Sequence, residues 1–306
     1  MISVVIPIFN EQEILPELFR RSVAQLEQVG EDWELIFVDD GSTDRSPELL
    51  RDFQKSNRRV KVVELSRNFG HQQALTAGIE SATGRCAILM DGDLQDPPEL
   101  IPALVEKWRA GYQVVFAERR SRKEGGLRSF GFRFFYPLFN LISDLPATQQ
   151  AGVFGLMDRV VIDEFAKLDE RNRFIPALRS WLGFKQTGVL YDRDDRAAGQ
   201  PKQSLARLLK YAMDGMISFS YKPLRAATYM GFLTSFVALS LGVFYFVTFF
   251  TMHKPITGFT TTIVCVLFLG GVQLVCVGIL GEYIGRIYEE VKRRPLYVVR
   301  SKLGFD

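Results

Sequence analysis

Cysteine and histidine are scarce. Only three cysteines and two histidines occur among 306 residues. Cys86, Cys265 and Cys276 each sit in an apolar run, without the spacing of a disulfide framework or a zinc ligand set. They read as small buried side chains in a reducing compartment. His71 and His253 offer no Ser–His or Cys–His pair at activating spacing, so no covalent nucleophile is evident. Excess charge of one sign is missing too. Lys and Arg number 38 against 35 Asp and Glu, a net +3 that is too small to mark nucleic-acid binding. No basic leader precedes the first apolar run, and "MISVVIPIFNEQE" stops at acids, so the first half is expected to stay cytoplasmic.

Two long stretches lack charge altogether: Ala226 to Met252 and Pro255 to Gly281. Each exceeds the roughly 20 apolar residues that cross a hydrocarbon core of about 30 Å. The expectation is a transmembrane hairpin, with Lys222 and Arg225 before it and Arg286, Lys292, Arg293, Arg294, Arg300 and Lys302 after it. That basic bias puts both flanks on the cytoplasmic side. The alternative is a pair of core helices in a soluble protein.

What is present before residue 120 is a rhythm of strands and helices. Apolar, β-rich runs at Ile2–Ile8, Glu34–Asp40, Val60–Leu65, Cys86–Asp91 and Gln113–Ala117 alternate with helical patterns such as Ile14–Val29 and Leu100–Ala110. Strands apolar on both faces predict a mostly parallel α/β sheet covered by helices, with ligands beyond the strands' carboxyl ends. Polar clusters sit at those ends: Pro7-Ile8-Phe9-Asn10-Glu11, then Asp39-Asp40-Gly41-Ser42-Thr43-Asp44, then Met90-Asp91-Gly92-Asp93-Leu94-Gln95. The second cluster also reads as a turn plus a helix cap. Asp91 and Asp93 stand two apart around a glycine, with Gln95 as a further neutral oxygen. All-oxygen donors favour Mg²⁺ or Mn²⁺ over zinc. Asp96 and Glu99 fit a helix start opened by Pro97-Pro98, and His71 reads as an exposed first-turn residue.

Taken in order, "VIPIFNE", "VDDGSTD", "LSRNFGHQQALTAG" and "MDGDLQDPPE" resemble the family-two glycosyltransferases. More narrowly, "LMDR" (156–159), "DGMISFSYKPLR" (214–225) and "GEYIGRIYEEVKRRPLYVV" (281–299) make the chain similar to the polyprenyl-phosphate glycosyltransferases, across nearly its whole length. The resemblance implies a GT-A, Rossmann-like domain with interfacial amphipathic helices and the two-helix hairpin. It also implies inverting transfer of a hexose, glucose above all, from a UDP-sugar to undecaprenyl or another polyprenyl phosphate at the inner membrane. By position it assigns Pro7, Phe9, Asn10, Glu11, Asp39, Asp40 and Gly92 to the nucleotide, and Asp91, Asp93 and Gln95 to a Mg²⁺ or Mn²⁺ ion and the diphosphate. Arg119 falls to the phosphates, and Arg196 and Lys202 to the acceptor phosphate. A homo-oligomer, a tetramer in related enzymes, a flippase and a downstream glycosyltransferase are the protein partners it implies.

Three positions depart from the family pattern. Val153 and Gly155 stand where a carboxylate and an arginine are usual, and Pro201 replaces a serine. They keep a second reading open, a nucleotide-sugar binder or scaffold without catalysis. A processive polysaccharide synthase is disfavoured by the lack of a Q-x-x-R-W motif. The expected organisation is a nucleotide-sugar-binding core at 1–125, an acceptor loop with interfacial helices at 126–223, transmembrane helices at 224–285 and a basic cytoplasmic tail at 286–306. Interfacial helices are expected over 127–145 and 204–221, where basic residues flank aromatic and aliphatic faces.

Overall fold

The computed structural model describes residues 1–119, 151–171, 173–191, 221–252 and 258–305. The expected interfacial helices, Arg196 and Lys202 lie outside these residues. The chain divides into two compact units, the first holding residues 1–119, most of 151–191 and 294–305, the second the apolar hairpin.

In the first unit, strands β1 (Ile2–Ile8), β2 (Trp33–Asp39), β3 (Val60–Leu65) and β4 (Cys86–Leu89) alternate with helices α1 (Leu15–Val29), α2 (Ser46–Ser56) and α3 (His71–Ser81). Helix α4 (Ile101–Arg109), β5 (Val114–Arg119), β6 (Ala151–Asp158), α5 (Arg159–Ala166), α6 (Ile175–Trp181) and β7 (Gln186–Tyr191) follow. Every residue of β1 and β2 is buried, as expected of central strands covered on both faces. β1 pairs in parallel with β2 and β4, and β2 with β3. β6 runs antiparallel between β4 and β5, so its start lies at the same edge as the ends of its neighbours.

Side-chain alternation gives each sheet face its own core. One face carries Val4, Ile6, Phe37, Ile88 and Leu156 beneath α1, α2 and α4. The other carries Val5, Val38, Leu89 and Met157 beneath α3, α5 and α6. Helix α1 shows why such segments are helical: Leu15, Leu18, Ser22 and Leu26 are buried on one side, Pro16 starts it, and Gly30 at φ 71° ends it. Glu34 is buried at the foot of β2 and is held by Ser3 Oγ, the Thr83 N–H at 2.7 Å and Lys61 Nζ at 2.6 Å.

Part of 286–305, expected as a tail, is secondary structure. Its first residues extend a helix, and Val299–Leu303 form β8, antiparallel to β3 at the sheet edge. Ser301 Oγ donates to Glu64 and Tyr297 Oη to Glu80. The strand alternates apolar and polar residues, the pattern of an edge strand with one face solvated.

The second unit contains helices α7 (Lys222–Met252) and α8 (Phe259–Val291). Within them Leu224–Thr248 and Thr262–Val291 are long and apolar enough to cross a membrane, and none of their most apolar stretch is buried inside the protein. Neither stretch is packed as the core helix of a soluble protein is, which is mostly buried. Hydroxyls of Thr228, Thr234, Ser240, Thr248 and Thr262 donate to carbonyls one turn back, which satisfies them without water. Of the cysteines only Cys86 is buried, and burial pushes its thiol up to about 12. Cys265 is exposed and Cys276 half-buried, because the apolar runs that hold them face outward.

Candidate active site

The ends of β1, β2 and β4 meet at one edge. The first two loops are laced together: Ser42 Oγ accepts from the Asn10 N–H at 3.0 Å, and Asn10 Oδ1 accepts from the Thr43 N–H at 2.8 Å. Ser46 Oγ accepts from the Glu11 N–H at 3.1 Å. Asp44 accepts from the Gln12 N–H at 3.2 Å and the Ser46 N–H at 2.9 Å, so this acid closes the turn before α2, while the cap position itself is Arg45. Asn10 sits at φ 58°, a conformation that asparagine tolerates and that this lacing holds. Much of the first two motifs therefore builds the loops.

Asp39 and Asp40 are both 3% exposed. Asp39 accepts from the Ser42 N–H at 3.1 Å, while Asp40 reaches across to the Phe69 and Gly70 N–H groups at 2.7 and 2.9 Å. Burial lifts both carboxyls above their usual range, more than these donors lower them. By gripping residues 69 and 70, Asp40 fixes the start of α3. His71 Nε2 then lies 2.9 Å from Asp91 Oδ1. Burial lowers the imidazole, but its hydrogen bond to Asp91 and the fields of Asp91, Asp40 and Asp93 raise it overall.

Gly92 lets the end of β4 approach the end of β1: a Cβ there would lie 2.7 Å from Ile8 Cδ1 and 2.9 Å from the Pro7 carbonyl oxygen. The backbone between Asp91 and Asp93 is thus brought against Pro7 and Ile8, just before Phe9, which is 44% exposed. The Gln95 N–H donates to Asp93 Oδ1 at 3.1 Å, and Leu94 takes φ 58° to close that turn. Asp96 and Glu99 are structural: Tyr191 Oη donates to buried Asp96 at 3.0 Å, and Arg21 forks onto Glu99 at 2.6 and 2.9 Å.

A sequence profile described as glycosyl transferase family 2 matches residues 3–165, and one described as the GtrB C-terminal hairpin matches 222–287. The chain belongs to glycosyl transferase family 2. This transferase is 45% identical to "Uncharacterized glycosyltransferase YkcC" of Bacillus subtilis, over 99% of its own length and 94% of that protein's. It is 39% identical to "Bactoprenol glucosyl transferase" of Shigella phage SfX, over 98% and 99%. Its mostly parallel sheet followed by two apolar helices is the expected GT-A-type architecture.

Within the transferase, the residues expected from the sequence are brought together as far as the description reaches. Pro7, Phe9, Asn10, Glu11, Asp39, Asp40, Asp91, Gly92, Asp93 and Gln95 line one edge of the sheet. Arg119 ends β5 opposite Tyr191, with its side chain outside the described residues. Two features escaped the sequence reading. One is the bond of His71 to Asp91: the residue is exposed in the first turn of α3, as expected, and the signal for the bond was its place after β3, at the edge where every other polar cluster ends. The other is Arg179 on α6, 2% exposed beneath the start of β6. Its guanidinium donates to the carbonyls of Gly152 at 3.2 Å and Val153 at 3.5 Å. Nη1 lies only 2.9 Å from where a Cβ on Gly155 would be. The signal for it was the missing side chain at 155.

Proposed function

We propose that this chain transfers a glucosyl group from UDP-glucose to a polyprenyl phosphate in the cytoplasmic leaflet, with inversion at the anomeric carbon. The observation that carries the reading is the match of both catalytic and hairpin segments, over nearly full length, to proteins called bactoprenol glucosyl transferases. A carboxylate-lined sheet edge and two helices long enough to cross a bilayer, in one chain, support it.

In the proposed step an oxygen of the lipid phosphate attacks the anomeric carbon while the bond from that carbon to the β-phosphate oxygen breaks, and its electron pair leaves with UDP. A phosphate monoester has a second pKa of about 6, so near pH 7 the attacking oxygen needs no general base. The laced loops after β1 and β2 hold the nucleoside, with Phe9 offering an apolar face. Asp91 and Asp93 suit Mg²⁺ or Mn²⁺, because both are hard oxygen donors and such ions keep waters and substrate phosphates for their other positions. Among the described residues no group of three or more His, Cys, Asp or Glu gathers that could hold a metal ion. Bound there, the ion supplies charge neutralisation for the departing diphosphate. His71 restricts rotation of the Asp91 carboxylate, and Gln95 adds a neutral oxygen nearby. Arg119 is assigned to the diphosphate, and Arg196 and Lys202 to the lipid phosphate, by resemblance.

The test is UDP release by the full chain in detergent. Release from UDP-glucose is expected only with a short-chain polyprenyl phosphate and Mg²⁺ or Mn²⁺. It should stop in chelator and fall by roughly 100-fold or more in Asp93→Ala. Full turnover in chelator would remove the ion. Binding of UDP-sugars with no release from any of them would favour the non-catalytic binder, which the departures at Val153 and Gly155 support.

A further inference from the structure

Arg179 is a buried cation, and among the described residues no carboxylate pairs with it. Among the described residues its acceptors are two carbonyls, both farther than the roughly 2.7–2.9 Å of a charged hydrogen bond, and the Phe116 ring with its centroid 5.9 Å away. Desolvation is the only influence on its pKa, which falls to about 10 and leaves the group charged at neutral pH. Keeping such a charge out of water without an anion costs stability, a cost that a bound anion would offset.

Its place along the sheet edge says which anion. The order of the strands is β2, β1, β4, β6, β5. Nucleoside loops end β1 and β2, and the Asp91 and Asp93 carboxylates follow β4. Beyond β4 comes the start of β6, where Arg179 holds the carbonyls of Gly152 and Val153. Gly155 pairs with Leu89, two residues before Asp91 and on the same face. Neighbouring strands lie about 5 Å apart and two residues span about 7 Å, so the guanidinium is close to the carboxylates but on the side away from the nucleoside. The bond from the Ile175 N–H to Gln72 Oε1, 2.9 Å, fastens α6 beside His71. A nucleotide sugar laid along this edge places its sugar over β6, and the one anion expected beyond the sugar is the acceptor's phosphate.

We propose that Arg179, seated in the notch left by Gly155, binds the phosphate of the lipid acceptor. This inference rests on the reading of the acceptor as a lipid phosphate. A guanidinium carries a fork of five N–H donors, and the two long carbonyl contacts engage one on each Nη, which leaves three that phosphate oxygens can accept from.

The experiment titrates the detergent-solubilised full chain with a short-chain polyprenyl phosphate and, separately, with UDP, in wild type, Arg179→Met and Arg179→Lys. Arg179→Met removes the charge while filling the notch. It is expected to weaken lipid-phosphate binding about 10- to 100-fold, the size of one lost charged hydrogen bond, with UDP affinity unchanged. Its melting temperature should be equal to or above wild type, because an isolated buried charge is gone. Arg179→Lys keeps the charge without the fork and should restore part of the loss. Unchanged lipid-phosphate binding in Arg179→Met, a loss confined to UDP, or no lipid-phosphate binding by wild type would each overturn the proposal. Failure of the donor reading registers separately, as no UDP release from any UDP-sugar by a wild type that still binds the lipid phosphate.

Discussion

Replacing Gly92 by alanine tests the contact that brings the carboxylates of β4 to the loop after β1. Its added Cβ would lie 2.7 Å from Ile8 Cδ1 and 2.9 Å from the Pro7 carbonyl oxygen, where carbon contacts favour about 3.5–4.0 Å. Ile8 is fully buried and cannot swing away, and the Pro7 oxygen belongs to the backbone of β1. The two strand ends must therefore part by roughly 0.5–1 Å, an overpacking that costs about 1–3 kcal/mol. For a unit of this size the melting temperature should fall by about 3–10 °C. A displacement of about 1 Å between nucleoside loop and carboxylates should lower kcat/KM for UDP-glucose by up to roughly 100-fold. Thermal denaturation and UDP release, both on the full chain in detergent, measure the two effects. Ile8→Val deletes the Cδ1 atom, so in the double variant part of the Gly92→Ala loss should return, a non-additivity of about 0.5–1.5 kcal/mol. A Gly92→Ala protein with wild-type melting temperature and wild-type KM would refute the argument that this close approach shapes the site.

Three further outcomes are expected. The Glu34 carboxyl is opposed by burial but held below its ordinary 4.5 by Lys61, Ser3 and Thr83, so the stability it supplies is complete above about pH 4.5 and is lost as pH falls through the lower folded value. Glu34→Gln should cost about 1–3 kcal/mol at pH 7, a deficit that shrinks below pH 4 in denaturation profiles; a deficit independent of pH would contradict this. Deleting residues 294–306 strips β8 from β3 and should lower the melting temperature and promote self-association, read by light scattering, whereas Tyr297→Phe, losing one hydrogen bond to Glu80, should cost only about 0.5–1.5 kcal/mol. A truncated chain as stable and monodisperse as wild type would deny β8 its part in the sheet.

Burial on both faces made β1 to β5 legible as uninterrupted apolar runs, each placed within about two residues of its ends. β6 contains two glycines, and β8 reads "VRSKL", an alternation indistinguishable from a basic tail until its partner β3 is known. The carboxylates of the site were legible because clusters of acids after apolar strands have few structural uses. His71 was not, since its meaning lies in Asp91, twenty residues onward, and a lone histidine at a helix start carries no pattern. Arg179 was further from view, because what defines its place is an absent side chain on another strand.

The pairing of β3 with β8 also sets an order of assembly. Leu65 meets Val299, so 234 residues separate the two sides of that pair. At ribosomal rates of about 5–20 residues per second, the rim of β3 waits roughly 10–50 s for its neighbour, and the entire hairpin is synthesised in between. A nascent chain stalled within the hairpin thus displays an unmatched β rim, a feature that quality-control proteases and chaperones can read, while a finished chain hides it.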